Sequence, residues 1–323
     1  MRAIQIDATG GPEVLQLVDI PAPEAGPGQI LIRNQAIGLN YSDTYHRSGL
    51  YPLKLPSGLG MEGAGVVEAV GEGVTRFSVG DLAAYASGPI GAYAELHAVN
   101  AERAVKPPAG IDAKVAAGAL LKGMTAEFLL RRCYEVKAGD HILVHAAAGG
   151  VGSILVQWGK ALGAVVIATA GSQDKADRAK ALGADHVILY READVAAEVR
   201  KITGGKGVPV AYDSVGAATF EGTLASLAKR GLFVSFGNAS GPPPPLAPAR
   251  LMLAGSVFLT RPTMGDYLLT TAELDESAAA LFAVIMSGKV KIDIGQTFPL
   301  AEARRAHEAM EGRDTVGASL LIP

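Results

Sequence analysis

The sequence is poor in cysteine and contains no long apolar run. Cys133 is the only cysteine among 323 residues, which excludes an internal disulfide and any metal site built from several cysteines. A membrane-spanning helix needs a run of about 18 apolar residues, and none occurs. Residues 1–7 lack the apolar core of a secretion signal. We therefore expect a cytoplasmic protein.

The chain also has no large excess of either charge. Lysine and arginine number 29 against 32 aspartates and glutamates, so the formal net charge is −3. This balance does not favour a nucleic acid or a membrane surface as partner. The sequence also lacks a basic stripe interleaved with aromatic residues, which is typical of proteins that bind nucleic acids. The hydrophobic content of 49% and the 40 glycines are typical of an α/β enzyme with about two domains.

The most informative segment is 141–171, which reads as strand, glycine-rich turn, helix and strand. Gly149 allows the backbone to approach a phosphate group closely, and Gly152 allows the helix to pack tightly against the strand. The free N–H groups and the dipole at the helix start favour an anion. Ala147 stands where the usual fingerprint has its first glycine. Because the flanking elements agree, we interpret the turn as a dinucleotide-binding site.

The same alternation of strand and helix continues along residues 124–263 and predicts a doubly wound parallel sheet. Predicted strands cover 141–145, 165–169, 187–190, 208–212, 232–236 and 257–259, and predicted helices cover 151–162, 173–182, 194–202 and 217–229. Residues 1–123 show short strands separated by turns, which predict a barrel-like β domain. Residues 264–323 predict two helices and a final strand that return to complete this first domain.

The end of the second strand indicates the cofactor. An NAD site usually places an acidic residue there to bind the ribose 2′-hydroxyl, but Ala170 occupies that position. The missing carboxylate leaves room for a 2′-phosphate. Ser172 and Lys175 follow closely and supply a hydrogen bond and a positive charge, and Tyr190 ends the third strand. The pattern favours NADPH over NADH.

Several motifs together resemble one family. They are Gly38–Asp43, Gly58–Gly65, His145–Gly152, Tyr212–Gly216, Phe236–Asn238 and Gly317–Pro323. The chain resembles the zinc-free, zeta-crystallin-like quinone oxidoreductase branch of the medium-chain dehydrogenase/reductase superfamily. The resemblance implies an α/β protein with a GroES-like, β-rich catalytic domain and a Rossmann domain that binds NADPH. It also implies a homodimer, formed through the edge strand at 257–259.

The resemblance also implies that no metal takes part. Zinc alcohol dehydrogenases of this superfamily carry a cysteine where Asn40 stands and a histidine where Met61 stands. An amide and a thioether do not replace a thiolate and an imidazole as zinc ligands. The acceptor must then be ready to take hydride without a Lewis acid, as a quinone or an activated enone is.

The resemblance assigns roles to individual residues. Asn40, Tyr45 and Tyr51 are the catalytic candidates, and Asn40 is expected to hydrogen-bond either the acceptor or the nicotinamide carboxamide. A tyrosine can stack on a planar ring or donate to a developing quinol oxygen. The expected cofactor-binding residues are Asn40, Thr125, Ala148, Gly149, Gly150, Val151, Gly152, Gly171, Ser172, Lys175, Tyr190, Ser214, Val215, Phe236, Gly237, Asn238, Thr260 and Arg313.

Three functions stay open at this point. The leading hypothesis is NADPH-dependent reduction of quinones, by hydride transfer or by single-electron steps. The second is NADPH-dependent reduction of α,β-unsaturated carbonyl compounds by the same fold. The third is an NADPH-binding or RNA-binding protein without catalysis, which the charge balance disfavours.

Overall fold

The computed structural model describes all residues from 1 to 323 and divides into two compact units. The first unit contains Met1–Met124, Leu268–Met286 and Ile292–Pro323, and the second contains Thr125–Tyr267 and Ser287–Lys291. The chain therefore leaves the first unit, builds the second and returns.

Sixteen strands and ten α-helices make up these units. The strands are β1 (Arg2–Ile6), β2 (Gln16–Asp19), β3 (Gln29–Leu39), β4 (Ser57–Gly58), β5 (Gly63–Val70), β6 (Leu82–Tyr85), β7 (Leu96–Asn100), β8 (Ala104–Val105), β9 (His141–Val144), β10 (Val165–Ala170), β11 (His186–Leu189), β12 (Val208–Asp213), β13 (Leu227–Ser235), β14 (Phe258–Thr260), β15 (Ile294–Pro299) and β16 (Ala318–Ile322). The helices are α1 (Tyr41–Ser48), α2 (Ala113–Phe128), α3 (Gly150–Ala161), α4 (Gln173–Ala181), α5 (Val195–Ile202), α6 (Phe220–Ser226), α7 (Pro248–Leu253), α8 (Met264–Tyr267), α9 (Thr271–Met286) and α10 (Ala303–Glu311).

The first unit is built around the long strand β3. Its main sheet has the order β15-β16-β3-β5-β6-β8, with β7 also paired to β3, and a smaller sheet has the order β2-β1-β4. Because β16 pairs antiparallel with β3, Leu321 lies opposite Ile37 in the centre of the sheet. Ile6, Ile37 and Leu321 are fully buried in one core. The two ends of the chain thus stabilise the same unit.

The second unit holds six parallel strands in the order β11-β10-β9-β12-β13-β14. The strand order reverses on the two sides of β9, as in a doubly wound sheet, and ligands bind such sheets at the carboxyl ends of the strands. The buried core includes Leu143, Ile167 and Phe233. The fold class predicted from the sequence is confirmed.

The predicted boundary between the last helix and the fifth strand of this sheet was wrong. We expected a helix over 217–229, but α6 ends at Ser226 and β13 begins at Leu227. Leu227 pairs with Val208, and the register then shifts before Leu232 pairs with Val210. Arg230 adopts a left-handed conformation with φ of 61° in this irregular stretch. Lys229, Arg230 and Gly231 interrupt the apolar pattern of a strand, and only pairing with β12 shows that they belong to the sheet.

Candidate active site

The glycine-rich turn connects β9 to α3. Ala146 takes a left-handed φ of 50°, and its carbonyl oxygen accepts the N–H of Gly149 at 2.9 Å. A Cβ atom placed on residue 152 would lie 2.2 Å from that same oxygen, so glycine is required for the first turn of α3 to pack on the loop. The first N–H groups of the helix, at Gly150 and Val151, have no partner within it. Free N–H groups at the start of a helix favour an anion.

The departure from the fingerprint at Ala147 is accommodated by the fold. Ala147 is fully buried, and its N–H donates to the carbonyl oxygen of Thr169 at 3.3 Å. Its methyl group therefore points into the protein and leaves the turn open.

The end of β10 lies beside this turn, since β10 pairs with β9. A Cβ on residue 171 would lie 2.5 Å from the hydroxyl oxygen of Tyr190, so the tyrosine ring covers Gly171. Ser172 caps α4 by accepting the N–H of Lys175 at 3.5 Å, and its hydroxyl hydrogen remains to be donated. The structure thus brings Ser172, Lys175 and Tyr190 to one edge, with Ala170 in place of an acid.

A buried carboxylate organises the next loop. Asp213, at the end of β12, accepts the N–H groups of Val215 at 2.7 Å and Gly216 at 3.1 Å through Oδ1. Its Oδ2 accepts the hydroxyl groups of Thr219 at 2.7 Å and Thr223 at 3.0 Å. The first two hydrogen bonds hold the backbone at Val215 and Gly216, beside the predicted cofactor residues Ser214 and Val215, and the other two fix the carboxylate itself.

His145 extends this network across the sheet. Its Nε2 lies 2.9 Å from Thr223 Oγ1 and its Nδ1 lies 3.0 Å from Thr169 Oγ1. Burial lowers the pKa of His145, so the ring is neutral near pH 7. A neutral ring that donates from Nε2 and accepts at Nδ1 satisfies both contacts. The sequence placed His145 in a motif but did not indicate this role.

The loop after β13 packs against the loop after β12. A Cβ on Gly237 would lie 2.3 Å from the carbonyl oxygen of Ser214, so the two backbones touch. Arg261 donates to the carbonyl oxygens of Ser235 at 3.1 Å and Gly237 at 3.0 Å. The predicted residues Phe236, Asn238 and Thr260 belong to this same end of the sheet. Sequence reasoning missed the guanidinium of Arg261, which fastens β14 to the loop.

Three predicted cofactor residues lie away from these loops, and one of them, Asn40, belongs to the first unit. Thr125 is half-buried on α2 and is the first residue of the second unit. Arg313 belongs to the first unit, in the turn before β16, with φ of 66°. Burial raises the pKa of Tyr41, and the positive charge of Arg313 acts against that rise. The role of Arg313 at a 2′-phosphate therefore stays a prediction.

In the first unit, helix α1 positions the catalytic candidates. Tyr45 is buried and its ring packs edge-on against Tyr51, with centroids 5.3 Å apart. The Tyr51 N–H donates to the Tyr45 carbonyl oxygen at 3.0 Å. The His46 and Tyr51 ring centroids lie 5.4 Å apart, and burial lowers the pKa of His46. The two tyrosines thus form one aromatic pair, and Asn40 is the residue before the helix that carries Tyr45.

Asn40 is held by two buried carboxylates. Its backbone N–H donates to Asp43 Oδ2 at 2.9 Å, and its side-chain Nδ2 donates to Glu62 Oε2 at 2.9 Å. Glu62 is fully buried and forms an ion pair with Lys122 at 2.9 Å. Burial raises the pKa of Asp43 to about 7, against hydrogen bonds from Asn40 and Tyr93 that lower it. Sequence reasoning missed these partners, although Glu62 lies within a quoted motif.

The network continues from Asp43 through buried side chains of the same unit. Tyr93 donates to Asp43 at 2.8 Å and lies 3.1 Å from His307 Nε2. His307 Nδ1 in turn lies 2.9 Å from Arg47 Nη1. Burial lowers the pKa of His307 to about 3, so the ring is neutral. These contacts fasten α1 to α10 and fix the start of the helix that carries Tyr45.

Comparison with known proteins accords with this geometry. Residues 26–109 match the alcohol dehydrogenase GroES-like domain, and residues 150–282 match the zinc-binding dehydrogenase family. A quinone oxidoreductase of Pseudomonas aeruginosa is 52% identical over 100% of this chain and 99% of its own. A 2-haloacrylate reductase of a Burkholderia species is 43% identical over 100% of this chain and 99% of its own. The crystal structure of Escherichia coli quinone oxidoreductase complexed with NADPH is 48% identical, with a TM-score of 0.98 over 100% of both chains.

The chain belongs to the quinone oxidoreductase branch of the medium-chain dehydrogenases/reductases. The predicted family and the predicted pairing of a GroES-like domain with a Rossmann-type domain are both confirmed.

One of the two matched families is named for zinc binding, so we searched this quinone oxidoreductase family member for a metal site. The structure contains no group of three histidine, cysteine, aspartate or glutamate side chains arranged to hold a metal ion. The positions at which zinc alcohol dehydrogenases carry a cysteine and a histidine are occupied here by Asn40 and Met61, and the amide of Asn40 is hydrogen-bonded to Glu62.

None of the helices meets the length and apolarity needed to cross a membrane.

Proposed function

We propose that this protein is an NADPH-dependent quinone reductase. The observation that carries the proposal is the end of β10, where Ala170 replaces an acid, Ser172 and Lys175 follow it, and Tyr190 covers Gly171. Full-length likeness to quinone oxidoreductases at about half of all positions supports the same function.

The second unit fits a dinucleotide. The N–H groups that begin α3, at Gly150 and Val151, would bind the diphosphate, and the rigid loops at 214–216 and 236–238 would line the adenosine and ribose. A 2′-phosphate beside Ala170 would meet the ammonium of Lys175 and the hydroxyl of Ser172 rather than a repelling carboxylate. We further propose that Arg313 and Thr125 complete the site.

Bound NADPH supplies a hydride, and the first unit would hold the acceptor. A quinone needs no Lewis acid, because its reduction restores an aromatic ring. Tyr45 and Tyr51 offer flat, partly buried rings for stacking and hydroxyl groups for a developing quinol oxygen. We propose that the reaction is zinc-independent and that Met1–Met124 and the returning C-terminal segments act as the catalytic domain.

NADPH oxidation followed at 340 nm tests this function. The assay compares 1,4-benzoquinone with 2-cyclohexenone, and NADPH with NADH. We expect turnover with NADPH and the quinone, unchanged by a chelator, and little turnover with NADH. Tight NADPH binding without quinone turnover would overturn the acceptor and keep the cofactor site.

A second candidate is reduction of activated alkenes. The full-length match to a 2-haloacrylate reductase favours it, because that relative acts on an α,β-unsaturated acid. The same assay separates the two, since enone turnover more than tenfold above quinone turnover would establish this alternative.

We also propose a homodimer that forms in the cytoplasm through β14. This strand lies at the edge of the sheet, and Phe258 is 61% exposed. Met252 and Leu253, on the preceding helix α7, are also exposed, at 64% and 80%. Pairing of two β14 strands about a twofold axis would cover an unpaired edge and these apolar side chains. Light scattering at micromolar protein should give twice the monomer mass, and a monomer would refute the proposal.

A further inference from the structure

The side-chain amide of Asn40 has no hydrogen left to donate. Its Nδ2 directs one hydrogen to Glu62 Oε2 at 2.9 Å and the other to the Gly38 carbonyl oxygen at 3.3 Å. The residue is 7% exposed. What the amide keeps is the acceptor capacity of Oδ1. This oxygen faces the backbone N–H of Asp43 in the capping box of α1, and its second lone pair can still accept a hydrogen bond.

Chemistry forces this orientation of the amide. An ionised carboxylate only accepts hydrogen bonds, so Glu62 Oε2 must face the NH₂ group of Asn40 and not its oxygen. Glu62 Oε1 accepts the Leu121 N–H at 2.7 Å, and Oε2 also accepts Lys122 Nζ at 2.9 Å. The carboxylate of Glu62 and the ammonium of Lys122 thus form a buried ion pair, and removing one partner would leave the other charge buried without compensation.

The backbone is shaped to admit this carboxylate. A Cβ on Gly38 would lie 2.1 Å from Glu62 Oε2 and 2.4 Å from the Ala117 carbonyl oxygen. Glycine is therefore required where β3 passes the Glu62 side chain. The absence of a side chain at Gly38 thus leaves the space that the Glu62 carboxylate occupies.

We propose that Glu62 and Lys122 are positioning residues that make Asn40 a hydrogen-bond acceptor toward the bound ligand. The inference rests on the proposed function. The matching donor is either the carboxamide NH₂ of NADPH or the hydroxyl of the hydroquinone product. In this orientation Asn40 does not donate to the carbonyl oxygen of a quinone, and that role falls to another group.

The test measures dissociation constants by calorimetry, without turnover. One arm compares NADPH with its reduced 3-acetylpyridine analogue, in which a methyl group replaces the carboxamide NH₂. The other arm compares hydroquinone with 1,4-dimethoxybenzene, which lacks the hydroxyl donor, in the presence of NADP⁺. If Asn40 accepts a hydrogen bond from the ligand, the compound that carries the donor should bind about tenfold more tightly than its analogue in one of the two arms.

The decisive variant is E62Q/K122M, which removes both charges and leaves the net charge unchanged. The Leu121 N–H still requires an oxygen acceptor, so the amide oxygen of the introduced glutamine faces Leu121. The NH₂ group of that glutamine then faces Asn40, and the amide of Asn40 turns around to accept from it. We expect the tenfold preference to fall to within about twofold, as in N40A.

Two further proteins accompany this variant. E62L/K122M, an apolar replacement of similar volume, serves as a second variant should the first fold poorly. The matched control R76Q/D275N removes another ion pair of the same unit and should retain the preference.

Two results would overturn the inference. The first is a wild-type protein that shows no preference in either arm. The second is a preference that persists in both E62Q/K122M and E62L/K122M, since Asn40 would then be oriented without the ion pair. A wild-type protein that does not bind NADPH at all would refute the proposed function instead.

Discussion

Replacing Lys175 by glutamine should weaken the binding of NADPH and leave the binding of NADH unchanged. Lys175 lies in the first turn of α4, half-buried beside Ser172. The ammonium is the group at this edge that would pair with a 2′-phosphate, and a hydrogen bond to a charged group contributes about 1.5 to 3 kcal/mol. Because solvent reaches the side chain, we take the lower part of that range. Loss of about 1.5 to 2 kcal/mol corresponds to a 10- to 30-fold higher Kd.

The assay is a fluorescence titration of both cofactors at two salt concentrations. Increased salt should weaken NADPH binding by the wild-type protein more than by K175Q, because the variant has lost the screened charge. The matched control is K180Q, which removes an exposed lysine from the last turn of the same helix and should change neither Kd by more than about twofold. An equal loss for NADPH and NADH, or the same effect in K180Q, would show that Lys175 does not read the 2′-phosphate.

Three further predictions concern the turn, the buried acid and the tyrosines. G152A should destabilise the fold by about 1 to 3 kcal/mol and weaken NADPH binding in calorimetry, because its Cβ would lie 2.2 Å from the Ala146 oxygen; G222A, whose Cβ meets only Val195 at 3.8 Å, should fold normally, and equal stability of both variants would contradict the argument. Burial raises the pKa of Asp43 from 3.8 in the unfolded chain to about 7, so the stability that Asp43 contributes is present below pH 3.8 and is lost as the pH rises toward 7. Denaturant unfolding should therefore show the wild-type protein losing stability relative to D43N between pH 4 and 7, by at most about 4 kcal/mol, and parallel pH profiles would refute this. Y45F and Y51F should keep the Kd of NADPH within about twofold and lower kcat with 1,4-benzoquinone about tenfold in at least one of the two, as expected for loss of a proton donor; unchanged kcat in both would leave the rings only a packing role.

The sequence alone was sufficient wherever the signal is local. The spacing of Gly149 and Gly152 after an apolar strand predicts the turn between β9 and α3, because the steric demand on each glycine comes from atoms a few residues away. The roles of Ala170, Ser172 and Lys175 were predicted for the same reason. Ala170 ends β10, and Ser172 and Lys175 follow within five residues. The alternation of apolar strands and helices along residues 124–263 likewise predicted six parallel strands. Their boundaries lie within a few residues of the observed ones, except at the start of β13.

The sequence failed where a contact joins distant segments. Ala228, Lys229 and Arg230 carry no strand signal, and only their place beside β12 decides their conformation. Asn40, Tyr45 and Tyr51 were catalytic candidates by resemblance, but the sequence did not predict which residues contact them. Asn40 meets Glu62 across 22 residues, Glu62 meets Lys122 across 60, and Tyr93 meets His307 across 214.

Residue types and local spacing thus determined the class of fold, the dinucleotide turn and the preference expected for NADPH. Only the tertiary structure decided which way the Asn40 amide points, which histidines are neutral and which acid has a raised pKa. These properties depend on burial and on the hydrogen-bond partner at each atom. Both are set by packing between strands and helices that lie far apart in the chain, so no local pattern encodes them.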